Sequence, residues 1–152
     1  MHPLVQAHAN IKVLLITPPP VDEWQFDDSG EPGNPVRKAG VTRLYAEAVK
    51  EGVRIGKAGG MVAEVVDLWG AIMGEIGWVE NEGKGVDLLP GDRRLESNVG
   101  LKMMLYDGLH LSGEGYRVLY REMKRVVGEA WPELRPERIK VVLEPVFPGW
   151  WE

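Results

Sequence analysis

"IKVLLITPPP", Ile11 to Pro20, is a β-branched and aliphatic run closed by three consecutive prolines. Its core, Ile11 to Ile16, lacks the in-out alternation of a half-solvated strand, so it predicts a strand covered on both faces of a parallel sheet. Proline has no N–H to offer a ladder, so the strand stops there. Further on, "VTRLYAEAVKEGVRIGKAGG" (41–60) repeats apolar or small residues at Val41, Leu44, Tyr45, Ala48, Val49, Gly52, Ile55 and Gly56. That is the stripe of an amphipathic helix, ended by Gly59-Gly60. "VAEVVDLW" then supplies a second short apolar run, with a strand predicted from Val62 to Val66. Strand, helix, strand in this order is a βαβ unit with a right-handed crossover, and its sheet is parallel.

The remaining segments are read outward from that unit. "DEWQFDDSGEPGNPVRKAG" (22–40) is polar, rich in Gly and Pro, and without period, which predicts a long surface loop able to carry function. "DLWGAIMGEIGW" predicts a short helix, and "ENEGKGVDLLPGDRRLESN" a loop with turns. After Ser112 comes a longer helix, with Tyr116, Leu119, Tyr120, Met123, Val127 and Ala130 on one face and Arg117, Arg121, Lys124 and Arg125 away from it. Ser112 is placed to cap it, while Gly115 at the third helical position excludes a capping box. Ile139 to Leu143 predicts one more strand before a Pro-rich end with two tryptophans. Neither repeats nor low-complexity tracts interrupt the chain, so residues 1–152 read as one α/β domain.

Composition narrows the function classes. The chain has 152 residues, 44% apolar and 27% charged, which suits one globular domain. A formal net charge of -5 argues against a nucleic-acid partner, which requires clustered Lys and Arg. With no cysteine there is neither a disulfide nor a thiolate nucleophile, and a reducing, cytoplasmic setting is expected. The first residues carry no basic region, and Val13 to Ile16 is too short to serve as a signal peptide or membrane span, so no membrane association is expected.

"YDGLHLSGEGYR", Tyr106 to Arg117, holds the chemistry. A histidine works as a general base near neutral pH when a carboxylate accepts its Nδ1 proton and leaves Nε2 facing a nucleophile. A tight turn at Gly108 brings residues i and i+3 together, which suits Asp107 and His110. Taken alone, Asp-x-x-His is more often an ordinary surface pair.

The surrounding words change that balance. "ITPPPVDEW", "LYAEAVKE", "VVDLW", "YDGLHLSGEGY" and "FPGWWE" resemble the isoamyl acetate-hydrolysing esterase branch of the SGNH (GDSL) hydrolases, over almost the whole of the chain from Ile11 to Glu152. The resemblance implies a flavodoxin-like three-layer α/β/α fold with a parallel sheet, and a Ser-His-Asp esterase acting on short acyl esters without metal or cofactor. Asp107 and His110 match the family's late Asp-x-x-His block, and Leu111 is the residue common after that histidine in this branch. The family's Gly-Asp-Ser nucleophile and its Gly and Gly-x-Asn-Asp oxyanion blocks stand before the segment that matches Ile11. Only ten residues precede Ile11 here, and none of those blocks is among them. The expectation is therefore the C-terminal half of an esterase, lacking the fold's N-terminal part and inactive by itself. The alternative is a non-catalytic binding or assembly protein, or a truncated product, that keeps the later half of the fold.

No serine in the chain replaces the nucleophile. Ser29, in "DDSGEP", follows no strand and precedes no helix, Ser97 has no supporting context, and Ser112 is better used as a cap. His2, His8 and His110 lack the spacing of a metal site. Trp24 lines a substrate pocket or packs on the sheet edge, and Trp150 and Trp151 pin the C-terminus. The glycines of "GKAGG" end a helix rather than open one, so they are no dinucleotide loop. A small ester is the expected substrate once the fold is completed, and the uncovered sheet is expected to drive self-association.

Overall fold

In the computed structural model the described residues are 11–26, 37–79 and 88–142, with side chains described to residue 139. Strand β1 (Val13–Ile16) pairs in parallel with β2 (Ala63–Val66), in register from Val13 opposite Ala63 to Ile16 opposite Val66. The bonds between Val13 N–H and the Val62 carbonyl, 2.9 Å, and Thr17 N–H and the Val66 carbonyl, 3.0 Å, extend the ladder at both ends. Beyond Thr17 the prolines follow, and the strand has ended as expected.

Between the strands runs α1 (Ala39–Ala58), closed at Gly59, with Gly60 in the left-handed region at φ 88°. Its first amide, Ala39 N–H, donates to the buried Glu23 carboxylate at 2.8 Å, so the loop after β1 supplies the acceptor that Lys38 at the N-cap does not. Helix α2 (Leu68–Glu75) follows β2 and is capped by Asp67, which accepts from Gly70 N–H. Thr17, at the end of β1, accepts from Trp69 N–H and donates to Asp67, tying the two strand ends together. Short α3 (Val99–Met104), capped by Asn98, begins where the stretch read as loop ends, in residues for which no element was expected. Helix α4 (Gly113–Ala130) leads through a 3₁₀ turn at Pro132–Leu134 into α5 (Pro136–Val142).

The core has two parts joined by α2. Trp69 and Met73 pack with Ala39 and Ala46 of α1 and with Leu89, while Leu68 and Ile72 pack with Leu101, Leu105 and Val118. Both α1 and α4 pack on β2, without packing extensively on each other. The result is a mixed α/β fold with a small parallel sheet, consistent with a three-layer α/β/α architecture.

Three expectations change. First, β1 is not covered on both faces: Val13, Leu14 and Leu15 are half-buried and Ile16 is 40% exposed, because among the described residues α1 and α4 pack mainly on β2. Second, the apolar stripes read on the long helices enter the described core only in part, Leu119 of α4 packing against it. Helix α1 buries Ala39, Ala46 and Val53, leaving Val41, Leu44, Tyr45 and Ile55 exposed; α4 buries Gly115, Val118 and Val126, leaving Tyr116 and Tyr120 exposed. Each helix has an apolar sector wider than the described core covers. Third, Ile139 to Val142 is helical rather than strand, with Leu143 outside the described residues. Pro136 in the first turn and Glu137 behind it are helix-starting signals, and they outweigh the β-branched run that follows.

Candidate active site

The Asp107–His110 segment forms the tip of a tight hairpin between α3 and α4. Leu105 and Leu111 make an antiparallel bridge, Tyr106 N–H donates to the His110 carbonyl at 2.7 Å, and Ser112 N–H donates to the Met104 carbonyl at 2.9 Å. At the tip Gly108 takes φ 85°, a conformation that side-chain-bearing residues rarely adopt. The chain folds back within one turn, and the i, i+3 pair meets as the spacing implied.

Asp107 is held by three donors. Its Oδ1 accepts from Leu109 N–H at 3.0 Å and His110 N–H at 2.8 Å, and its Oδ2 lies 2.7 Å from His110 Nδ1. The His110 amide, and after it the imidazole, hold the Asp107 carboxyl down at about 2. A carboxylate at that level only accepts, so Nδ1 carries the proton and, in neutral His110, Nε2 carries the lone pair. The imidazole is 73% exposed, and the pair is available to a reacting group brought from outside.

Among the described residues none of the other candidates is hydrogen-bonded to the side chains of the pair. Ser112 donates to the Met103 carbonyl at 2.5 Å and accepts from Glu114 N–H and Gly115 N–H, so its hydroxyl is a helix cap, as the sequence suggested. Ser97 is exposed in the irregular stretch before Asn98. Trp24 is 46% exposed, with its indole N–H donated to the Leu95 carbonyl at 3.1 Å. Ser29, His2, His8, Trp150 and Trp151 lie outside the described residues. Among the described residues no group of three or more His, Asp or Glu side chains could hold a metal ion, and no helix is long and apolar enough to cross a membrane.

Sequence reading did not find the contact beneath the pair. The turn Asp22–Phe26 lies against Gly108: Asp22 N–H donates to the Gly108 carbonyl at 2.9 Å, and Gln25 Nε2 reaches the Leu105 carbonyl at 3.5 Å. These bonds run mostly through backbone, between segments far apart in the chain, and no residue pattern announces them.

The chain is 34% identical over 128 residues to a GDSL esterase/lipase of Arabidopsis thaliana, covering 84% of this chain and 43% of that protein. It is 37% identical over 51 residues to an isoamyl acetate-hydrolyzing esterase of Schizosaccharomyces pombe, covering 34% of this chain and 19% of that one. No family model matches. The chain thus spans less than half the length of the curated relatives it matches. These similarities support an SGNH hydrolase lineage.

Proposed function

We propose that the chain carries the general base and orienting acid of an SGNH-type carboxylic ester hydrolase for short acyl esters, and that the nucleophile and oxyanion donors come from a segment completing the fold. The observation carrying the reading is the 2.7 Å contact between His110 Nδ1 and an Asp107 carboxylate already fixed by two backbone amides. In that reading His110 Nε2 takes the proton of a serine hydroxyl as its oxygen attacks the ester carbonyl. Asp107 stabilises the imidazolium, and the proton passes to the departing alkoxide. Water then repeats the sequence on the acyl-enzyme. Donors for the developing oxyanion are a separate requirement whose loss costs about 10²–10³ in rate.

The completing segment has a place to bind. Val13 and Thr17 donate to β2, so alternation along the strand turns the amides of Leu14 and Ile16 to the opposite edge, where no described strand pairs. That edge, with the exposed apolar sectors of α1 and α4, is where a further strand and its helices, or in their absence a second copy, would add.

The test is p-nitrophenyl acetate hydrolysis by the chain alone and by the chain co-expressed with the Gly-Asp-Ser-bearing part of an SGNH esterase. Background imidazole rates alone, and turnover abolished by His110→Ala in the pair, are expected. Saturable turnover by the chain alone that Ser29→Ala abolishes would place the nucleophile within it. Paired turnover that survives His110→Ala would remove the base from the mechanism.

A further inference from the structure

We propose that the Asp22–Phe26 turn is the seat that fixes the Asp107–His110 geometry, with Asp22 and Gly108 as positioning residues for the pair. Gly108 has no room for a side chain. A Cβ there would lie 2.6 Å from the Asp22 carbonyl oxygen, 2.6 Å from the Phe26 nitrogen and 2.8 Å from Gln25 Cβ. These are the atoms of one closed turn, since the Asp22 carbonyl accepts from Phe26 N–H at 2.9 Å and Gln25 N–H at 3.2 Å. Asp22 is fully buried, and its Oδ1 closes the same turn by accepting from Trp24 N–H at 3.0 Å. The turn grips the hairpin twice, at the Gly108 carbonyl through Asp22 N–H and at the Leu105 carbonyl through Gln25 Nε2.

The consequence for the pair follows from chain geometry. Gly108 joins Asp107 to Leu109 and His110, whose amides both donate to Asp107 Oδ1. Displacing Gly108 or rotating its φ out of the left-handed region moves those amides away from the carboxylate. Glu23 adds stiffness from the other side: its N–H donates to the Gly91 carbonyl at 2.8 Å and its carbonyl accepts from Arg93 Nε at 2.5 Å. The loop after β1 therefore transmits the position of the sheet to the imidazole.

This inference rests on the Asp107–His110 reading but needs no turnover, so an inactive chain leaves it standing. The readout is the pH dependence of the Leu109 and His110 amide resonances, which follow the charge on Asp107. In the native chain the inflection that follows Asp107 lies at about 2, where the carboxyl is held. Gly108→Ala is expected to bring an inflection near the ordinary 3.8, whereas Ile72→Val, which loosens the buried core, is expected to leave the profile native-like. Asp22→Ala, which removes the Oδ1 closure and leaves Gly108 untouched, is expected to move the inflection part of the way. Asp22→Asn, which keeps an acceptor there, is expected to restore the native profile. Burial pushes the Asp22 carboxyl above its usual range, so in this acidic window it is largely uncharged and its removal acts through the turn. A native profile in both folded Gly108→Ala and Asp22→Ala, or a Gly108→Ala chain too unstable to titrate beside a native profile in Asp22→Ala, overturns the proposal.

Discussion

Two substitutions on one helix separate the face of α4 that stabilises this chain from the face left for something else. Val118 is 5% exposed and packs with Leu68, Ile72, Leu101 and Leu105; Tyr120, two residues on, is 67% exposed. Val118→Ala removes two methyl groups, about 1.6 kcal/mol of transfer free energy at about 0.8 kcal/mol each. A cavity term adds to this, and the better helix propensity of alanine returns roughly 0.5 kcal/mol. The net loss is about 1.5–2 kcal/mol, or a fall in Tm of about 3–8 °C for a chain of this size. Tyr120→Gln exchanges an exposed aromatic for a residue of similar helix propensity and is expected to stay within about 0.5 kcal/mol, or about 2 °C. It is also expected to lower binding of a hydrophobic dye, because Tyr120 lines an open groove with Met123, Val127 and Leu134. Thermal unfolding followed by circular dichroism and dye fluorescence read both effects. If Tyr120→Gln costs as much as Val118→Ala and leaves dye binding unchanged, the outer sector of α4 is already covered within the chain and the case for a completing segment there collapses.

Two further outcomes are expected. The folded-state carboxyl of Asp107, at about 2, lies below its ordinary 3.8, so its stabilising contribution is present above about pH 4 and is lost as the pH falls through about 2. The native chain should accordingly lose stability as the pH falls from about 4 to about 2, and Asp107→Asn should flatten that acid limb; identical limbs for the two chains would show that the carboxylate contributes nothing. Ser112→Ala is expected to lower stability by about 1 kcal/mol through the lost cap while leaving ester hydrolysis at background, and an effect on hydrolysis without one on stability would reverse the assignment of that hydroxyl.

The elements that could be read from sequence were those whose cause is local. The run at Ile11–Ile16, the periodic stretch before Gly59-Gly60 and the apolar residues at 62–66 each carry their own signal, and the parallel pairing follows from their order. The Asp107–His110 contact was legible for the same reason, since the spacing and Gly108 are enough to bend one turn. Helix α3 was missed because its six residues follow a glycine- and charge-rich stretch and its support comes from Asn98 and the buried Leu101. The stripes on α1 and α4 were legible as apolar, but periodicity cannot say which part of a broad apolar sector a core will use. Contacts such as Asp22 with Gly108 pass through main-chain atoms and leave no mark in residue type.

The hairpin that carries Asp107 and His110 also bears on the order in which the molecule assembles. Its supports lie close together in the chain: Asn98 caps α3, Leu105 bridges Leu111, and Ser112 ties the start of α4 to Met103 and Met104. Neighbours in sequence close small loops at little entropic cost, whereas β1 must wait for β2 to return across the whole of α1. Short loop closure thus favours an early encounter of the imidazole with its carboxylate, and the turn at Asp22–Phe26 fixes their geometry once the strands have joined. In hydrogen exchange the Leu109 and His110 amides then report two events: a shallow opening of the hairpin, and a deeper one in which the sheet lets go of it.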